Sequence, residues 1–240
     1  AKNVEANGAR LAWNPDWLIL PLPAVISSYH FEFLGQDLQL LPQRAIFWKE
    51  KKALILADLH LGKATHFQKE GIPVPVGVFE DDLKRLSQIV EHFQATDIYF
   101  LGDLFHSVHN EEWELFKDWM KEHDQDFHLI LGNHDILREK DYESAAFASL
   151  TERFEAPPFV FIHDSEDREE ESELYPLAGH VHPSVRISGP RNSLRLPCFY
   201  FGKEYGLVPA FGRFTGTALI RPKRPDKVFA IVESKVLQVQ

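Results

Sequence analysis

Five stretches of this 240-residue chain place metal-competent or proton-donating side chains directly after a short apolar run. LILA precedes Asp58-Leu59-His60, IYFL precedes Gly102-Asp103, and HLIL precedes Gly132-Asn133-His134-Asp135. FVFI precedes His163-Asp164, and YPLA precedes Gly179-His180-Val181-His182. Together they offer carboxylates at Asp58 and Asp103, an amide at Asn133, and imidazoles at His60, His163, His180 and His182. This all-N/O set is too large for one ion and suits two divalent cations that share a bridging carboxylate. Its mixture of imidazole and carboxylate favours Mn, Fe, Zn, Co or Ni over Ca or Mg. Asp58-Leu59-His60 alone would read as a surface turn, and Gly102-Asp103 alone says almost nothing. Gly132-Asn133-His134-Asp135 is rarer, and Gly179-His180-Val181-His182 rarer still. Five in succession, each at the end of an apolar run, are hard to reconcile with ordinary turns.

If those runs are strands, the polar residues sit at strand carboxyl ends, where α/β folds place their active sites. The i, i+2 spacing of Asp58/His60 and His180/His182 turns both members of a pair the same way if the backbone is extended. The glycines permit a sharp turn and close backbone approach. Around these stretches the pattern predicts a hairpin about Gly35 and strands at Ala45–Trp48, Ala53–Asp58, Ile98–Leu101, Phe127–Leu131 and Phe159–Ile162. One helix is expected over about Phe79–Phe93, with Phe79, Leu83, Leu86, Val90 and Phe93 on one face. A second spans Glu111 to about His123, capped by Asn110 and acidic in its first turn. A third, weaker helix is expected over roughly Asp141–Leu150. Gly71 to Gly77 reads as a connector, and Asp164 to Glu173 as a solvated, mobile acidic loop.

Beyond that loop the chain reads as almost all β: Leu174–Ala178, Ser184–Ile187, Pro197–Phe201, Thr217–Ile220, Val228–Val232 and Lys235–Val239. Helices in the first two thirds and strands throughout predict a layered α/β sandwich with two sheets. One domain over residues 30–240 is expected, with residues 1–29 a partly ordered N-terminal extension.

Composition narrows the setting. No apolar run approaches the length of about 18 residues that a membrane helix needs, so no membrane partner is expected. The first residues lack the order of a signal peptide. A single cysteine, Cys198, excludes an internal disulfide and a cysteine-based zinc site, and fits a reducing cytoplasm. Charge is uneven: residues 1–182 hold 16 Lys/Arg against 33 Asp/Glu, whereas residues 183–240 hold 10 against 3. The basic C-terminal part offers a surface for phosphates, while the overall net charge of −10 limits non-specific nucleic-acid binding. Among histidines outside the motifs, His66, His92, His109 and His123 read as surface or packing residues. His106 differs, because it lies three residues past Asp103 in a loop expected over the cleft.

In the order Asp-x-His, Gly-Asp, Gly-Asn-His-Asp, His, Gly-His-x-His, the chain resembles the calcineurin-like metallophosphoesterases. The stretches 57–63 (ADLHLGK), 71–75 (GIPVP), 101–106 (LGDLFH), 196–202 (LPCFYFG) and 209–216 (PAFGRFTG) resemble one branch of them, the ligase-associated DNA damage response endonucleases. The resemblance spans about residues 30 to 232 and implies a four-layer αββα sandwich of two mixed β-sheets flanked by helices. It places Asp58, His60 and His182 on one metal and Asn133, His163 and His180 on the other, with Asp103 bridging and His134 as the catalytic histidine. The fourth motif departs from the family pattern, reading Ile162-His163-Asp164 where many relatives have Gly-His or His-His.

The activity implied is a dinuclear metal-dependent phosphodiesterase acting on DNA in repair, with manganese the foremost ion and a DNA ligase and helicase as partners. Two divalent ions about 3.5–4 Å apart supply hydroxide near neutral pH and clamp phosphoryl oxygens. His134 is positioned to protonate a leaving oxygen, with Asp135 either orienting it or capping a helix. His106, Arg186, Arg195 and Arg213, with Arg191 and Lys203, are expected along the substrate approach. The alternatives are the same chemistry on a small nucleotide substrate, or an inactive scaffold. Scaffolds of that kind usually lose ligands, and none is missing here.

Overall fold

The apolar runs pair into two mixed sheets in the computed structural model, which describes residues 26–63, 67, 71, 77–106, 109–189 and 193–240. The first sheet follows chain order: β1 (Tyr29–Phe33), β2 (Gln36–Leu41), β3 (Ala45–Trp48), β4 (Ala53–Leu56), β5 (Asp97–Leu101), β6 (Asp126–Ile130) and β7 (Ser149–Thr151). β1 to β4 are antiparallel, and β4 to β7 are parallel. The change to parallel pairing begins where crossover helices replace hairpins. Those are α1 (Val78–Phe93) between β4 and β5, and α2 (Glu111–Lys121) between β5 and β6.

The second sheet contains β8 (Arg153–Ala156), β9 (Phe159–Ile162), β10 (Tyr175–Ala178), β11 (Pro183–Ser188), β12 (Ser193–Phe201), β13 (Gly206–Leu207), β14 (Ala218–Leu219), β15 (Lys227–Val232) and β16 (Lys235–Gln238). Its order is β14-β11-β12-β13-β10-β9-β8, with β15 joined to β12 and β16 to β15. β9, β10 and β13 run parallel. The three-layer part of the core is explicit in the packing. Leu40, Trp48, Ile55, Tyr99 and Ile130 of the first sheet meet Phe159, Phe161, Leu177, Phe199 and Phe229 of the second. On its other face the first sheet packs Leu54, Leu56, Phe100 and Leu129 against Leu83, Leu86, Trp113 and Phe116 of the helices. Asn110 caps α2 as expected, its Oδ1 accepting from Trp113 N at 3.1 Å. The outer face of the second sheet is covered by a small cluster, Val160, Ile162, Ala178 and Leu207, under loop and strand residues such as Leu174 and Tyr205. Among the described residues, no α-helix contributes to that cluster.

Three local expectations give way to tertiary pairing. The third helix, α3, covers only Glu139–Glu143. Residues 149–151 instead pair with β6, because an open sheet edge there offers more hydrogen bonds than a further helical turn. β8 and β13 carry too little periodicity to be anticipated and form by pairing with β9 and with β10 and β12. The acidic stretch after His163 is anchored rather than loose. It opens with a 3₁₀ turn at Ser165–Asp167, buries Ser165, and is tied by Arg168–Glu204 at 3.0 Å and Arg153–Glu169 at 3.3 Å. Residues 72–76 of the expected connector, most of the 1–29 extension, His66 and Arg191 lie outside the described residues. Ile26, at the start of the described chain, is buried in the core.

Candidate metal centre

All five motifs lie at carboxyl ends of parallel strands: β4, β5 and β6 in the first sheet, β9 and β10 in the second. Contacts across the two sheets draw these ends together. His180 N donates to Asp58 Oδ1 at 3.0 Å, and His163 Nδ1 donates to Leu101 O at 2.9 Å. The backbone differs from the extended form read from the i, i+2 spacing. Asp58, His60, Asp103, His180 and His182 all adopt left-handed conformations, with φ between 48° and 60°. Non-glycine residues enter that region at a cost of about 1–3 kcal/mol each and cluster where function demands it. The turn, not strand alternation, aims these side chains inward.

Two groups result. The ligand atoms of Asp58, His60 and His182 lie within 4.8 Å of one another, as do those of Asp103, His163 and His180. In the first, His60 Nε2 is 3.2 Å from His182 Nε2, and His182 Nε2 is 3.5 Å from Asp58 Oδ1. In the second, His163 Nε2 is 3.2 Å from His180 Nδ1 and 3.1 Å from Asn133 Oδ1. Asp103 stands between them, with Oδ2 3.6 Å from His60 Nε2 and Oδ1 3.4 Å from His163 Nε2. Asp58, His60, Asp103 and His163 are buried, and His182 is half-buried; His180 and Asn133 are exposed at the mouth.

The donor set can be tested against a cation from the outward-facing nitrogens. His163 Nδ1 and His182 Nδ1 face the carbonyls of Leu101 and Gly216, at 2.9 and 3.1 Å. A carbonyl only accepts, so both Nδ1 atoms carry the proton and both Nε2 atoms turn lone pairs inward. Asp58 Oδ2 is buried with no hydrogen-bond partner in the described structure, an arrangement that is costly unless an ion sits beside it. Burial, followed by the Lys63 charge, pushes the His60 imidazole down to about 2, so it is the neutral, ligand form. Burial opposes protonation of His182, but its hydrogen bond and charge interaction with Asp58 outweigh that and raise its pKa. Imidazole lone pairs converging with carboxylate oxygens, among them the donor-less Asp58 Oδ2, fit divalent cations.

His134 lies beside this centre. Its backbone N–H donates to Asp103 Oδ1 at 2.9 Å, and its ring centroid is 4.1 Å from that of His106 and 5.5 Å from that of His60. Asp135 neither orients the His134 ring nor caps a helix. Its oxygens accept from Gly132 N at 2.8 Å and Phe105 N at 3.1 Å, clasping the third motif to the second. Burial, partly offset by those two bonds, pushes its carboxyl up to about 7. Gly132 is needed at this clasp, because a Cβ there would overlap Asp103 N and Oδ1.

The basic residues are less central. Arg186 and Arg195 oppose each other across β11 and β12 and are both exposed. Arg195 donates to Ser184 Oγ at 2.8 Å and to Thr217 O, one residue beyond the Gly216 carbonyl that receives His182. Arg213 is exposed, 3.6 Å from Asp81.

His106 has contacts beyond the substrate approach expected of it, and further contributors had no legible role in the sequence. His106 Nδ1 lies 3.1 Å from His60 Nδ1, so it backs a member of the first group as well as lying against His134. Lys63, half-buried, lies within the electrostatic reach of Asp103 and Asp58 and brings a cation to the centre. Residues 209–216 form a strap behind the first motif. Phe211 N donates to Ala57 O at 2.7 Å and Gly212 N to Asp58 O at 3.1 Å. From the far side, Arg44 Nη1 reaches Ala210 O at 3.2 Å and Gly212 O at 3.3 Å. Half-buried Arg85 donates to Phe211 O, pairs with Asp82 at 3.0 Å and lies over the Phe211 ring at 4.1 Å. The resemblance of 209–216 to one branch was the only trace of this strap in the sequence.

The profile of the family described as "Calcineurin-like phosphoesterase" matches residues 51–211. Among solved structures, the Pseudomonas putida nuclease MPE aligns with a TM-score of 0.76 and 30% sequence identity, over 89% of this chain and 100% of its own. A protein of unknown function from Aquifex aeolicus, AQ665, aligns at a TM-score of 0.38 and 17% identity, over 54% of this chain and 78% of its own. No curated protein matches. Fold and site thus define a metal-dependent phosphoesterase with a dinuclear centre. The chain belongs to the calcineurin-like phosphoesterase family.

Proposed function

We propose that this protein is a manganese-dependent DNA phosphodiesterase, an endonuclease acting in DNA repair in a reducing cytoplasm beside a DNA ligase and helicase. The observation that carries the nuclease reading is the likeness to nuclease MPE over that protein's whole length. Asp58, His60 and His182 would hold one ion and Asn133, His163 and His180 the other, with the Asp103 carboxylate placed between the two groups. Divalent ions bound there would supply Lewis-acid chemistry, activating water and offsetting charge on the phosphoryl oxygens. The remaining work falls to side chains. His134 protonates the leaving sugar oxygen, whose high pKa makes that proton important. Asp135 is a positioning residue that fixes the turn carrying His134, and His106 aligns the rings of His60 and His134. Exposed Arg186, Arg195 and Arg213 meet backbone phosphates, each adding salt-dependent affinity. The single cysteine, Cys198, is buried and supports the reducing compartment.

The test compares His134→Ala with the parent protein under Mn²⁺ on nicked, single-stranded and duplex DNA and on a nitrophenyl diester. Activity on DNA is expected to fall by about 10²–10⁴-fold, the range for loss of a general acid. The nitrophenyl diester, whose leaving group needs no proton, should lose far less. Equal losses on both would remove the general-acid role. Inert DNA alongside brisk turnover of a small nucleotide diester would move the substrate away from nucleic acid.

A further inference from the structure

Each histidine around the centre turns one nitrogen inward and the other toward an outer partner. For His163 and His182 that partner is a main-chain carbonyl, and for His60 it is the His106 ring. His180 differs. Its Nδ1 faces inward, 3.2 Å from His163 Nε2, and its Nε2 lies 3.4 Å from Asp164 Oδ2. It is also the exposed member of its group, with its side chain 40% accessible, on a left-handed residue between Gly179 and Val181. The His163 ring meets this exposed imidazole edge-on, with centroids 5.0 Å apart, on one side alone, which leaves its outer nitrogen to be held from elsewhere. Asp164 can hold it, because it follows His163 directly and is itself fixed. Its Oδ1 accepts from Glu166 N at 3.0 Å, capping the 3₁₀ turn at Ser165–Asp167.

We propose that Asp164 is a positioning residue for the second metal, resting on the dinuclear reading above. Its carboxylate accepts the Nε2 proton of His180, which fixes the tautomer with Nδ1 unprotonated and aims that lone pair inward. It also sets a negative charge behind a group whose other members, Asn133 and His163, are neutral as ligands. The departure at Ile162-His163-Asp164 then has a use, since the residue after one ligand orients another.

The experiment measures Mn²⁺ binding by calorimetry, with metal content after dialysis as a second readout, for the parent, Asp164→Ser and Asp164→Asn. Serine keeps the cap on the 3₁₀ turn but is too short to reach His180. Asparagine keeps both the cap and an acceptor but loses the charge. In the parent two binding steps are expected. In Asp164→Ser one step should weaken about 10–100-fold, the range for loss of an outer partner, with the other unchanged. Asp164→Asn should fall between the two. A serine variant that binds both ions as the parent does would reduce Asp164 to a cap and overturn the inference. Equal weakening of both steps would overturn it too. A parent that binds no Mn²⁺ would sink the dinuclear reading itself, a result distinct from either. Unchanged unfolding midpoints in metal-free buffer separate these outcomes from loss of fold.

Discussion

The two halves of the metal centre contain the same chemistry but are held in different ways. The half made by Asp58, His60 and His182 is enclosed and has its own carboxylate. The strap at 209–216 backs it through Ala57, Asp58 and His182, and is itself gripped by Arg44, Arg85 and Asp82. The half made by Asn133, His163 and His180 opens to solvent, has an amide in place of a carboxylate, and shares the charge of Asp103 with its neighbour. Its two histidines are held unequally: His163 is buried and reaches the Leu101 carbonyl, whereas exposed His180 has the Asp164 carboxylate beside it. A weak perturbation should therefore appear in the second half first.

That contrast can be broken most severely at the residue common to both halves. Asp103→Asn is expected to cost more than the about 10–100-fold in metal affinity that removal of an outer partner costs, and to abolish turnover. Metal content should fall below two ions per chain, and retention of two with full activity would remove the bridge. A smaller effect, confined to the enclosed half, is expected for Arg85→Ala. It leaves buried Asp82, whose carboxyl is raised by burial despite Arg85, with the Arg213 backbone N–H as its remaining hydrogen-bond donor and releases Phe211 O. Breaking a buried pair in this way costs about 3–5 kcal/mol, measurable by urea unfolding. Weakened Mn²⁺ binding should accompany it in the Asp58 half. The least effect, confined to the open half, is expected for Gly102→Ala. Gly102 has φ of 78°, and a Cβ would overlap the His163 ring. A loss of about 1–3 kcal/mol and a displaced His163 should result. Equal effects of these last two variants on both binding steps would show that the halves are not separately supported.

Much of this could be read from the residues, and the unread part has a physical pattern. The ligands announced themselves because each follows a continuous apolar strand, and β4, β5, β6, β9 and β10 fall where those runs lie. The two-sheet sandwich followed from the same runs. What stayed hidden depends on main-chain atoms or on residues distant in sequence. The Leu101 and Gly216 carbonyls carry no residue signature, and Arg44 meets Ala210 across 166 positions. The left-handed turns at Asp58 and His60 are equally silent, since aspartate and histidine are not residues that demand such a conformation. Asp135 misled for the opposite reason: its place beside His134 suggested a partnership, yet its oxygens are engaged by Gly132 and Phe105. Short β7 and β8 needed neighbours to exist, and no local pattern could supply those.

Every ligand-bearing turn lies on one rim of the sheets, and this leaves the opposite rim with a different character. There the chain enters β4, β5 and β6 through tight connections: Thr96 N donates to Lys52 O at 2.8 Å, and Asp126 N to Thr96 O at 2.9 Å. Lys51 and Asp124 are exposed on that side, a full strand length from the metal-competent turns. The molecule therefore has a built-in handle. A dye, a surface tether or a fused domain attached there would leave the mouth of the centre facing outward and unobstructed for a long polymer.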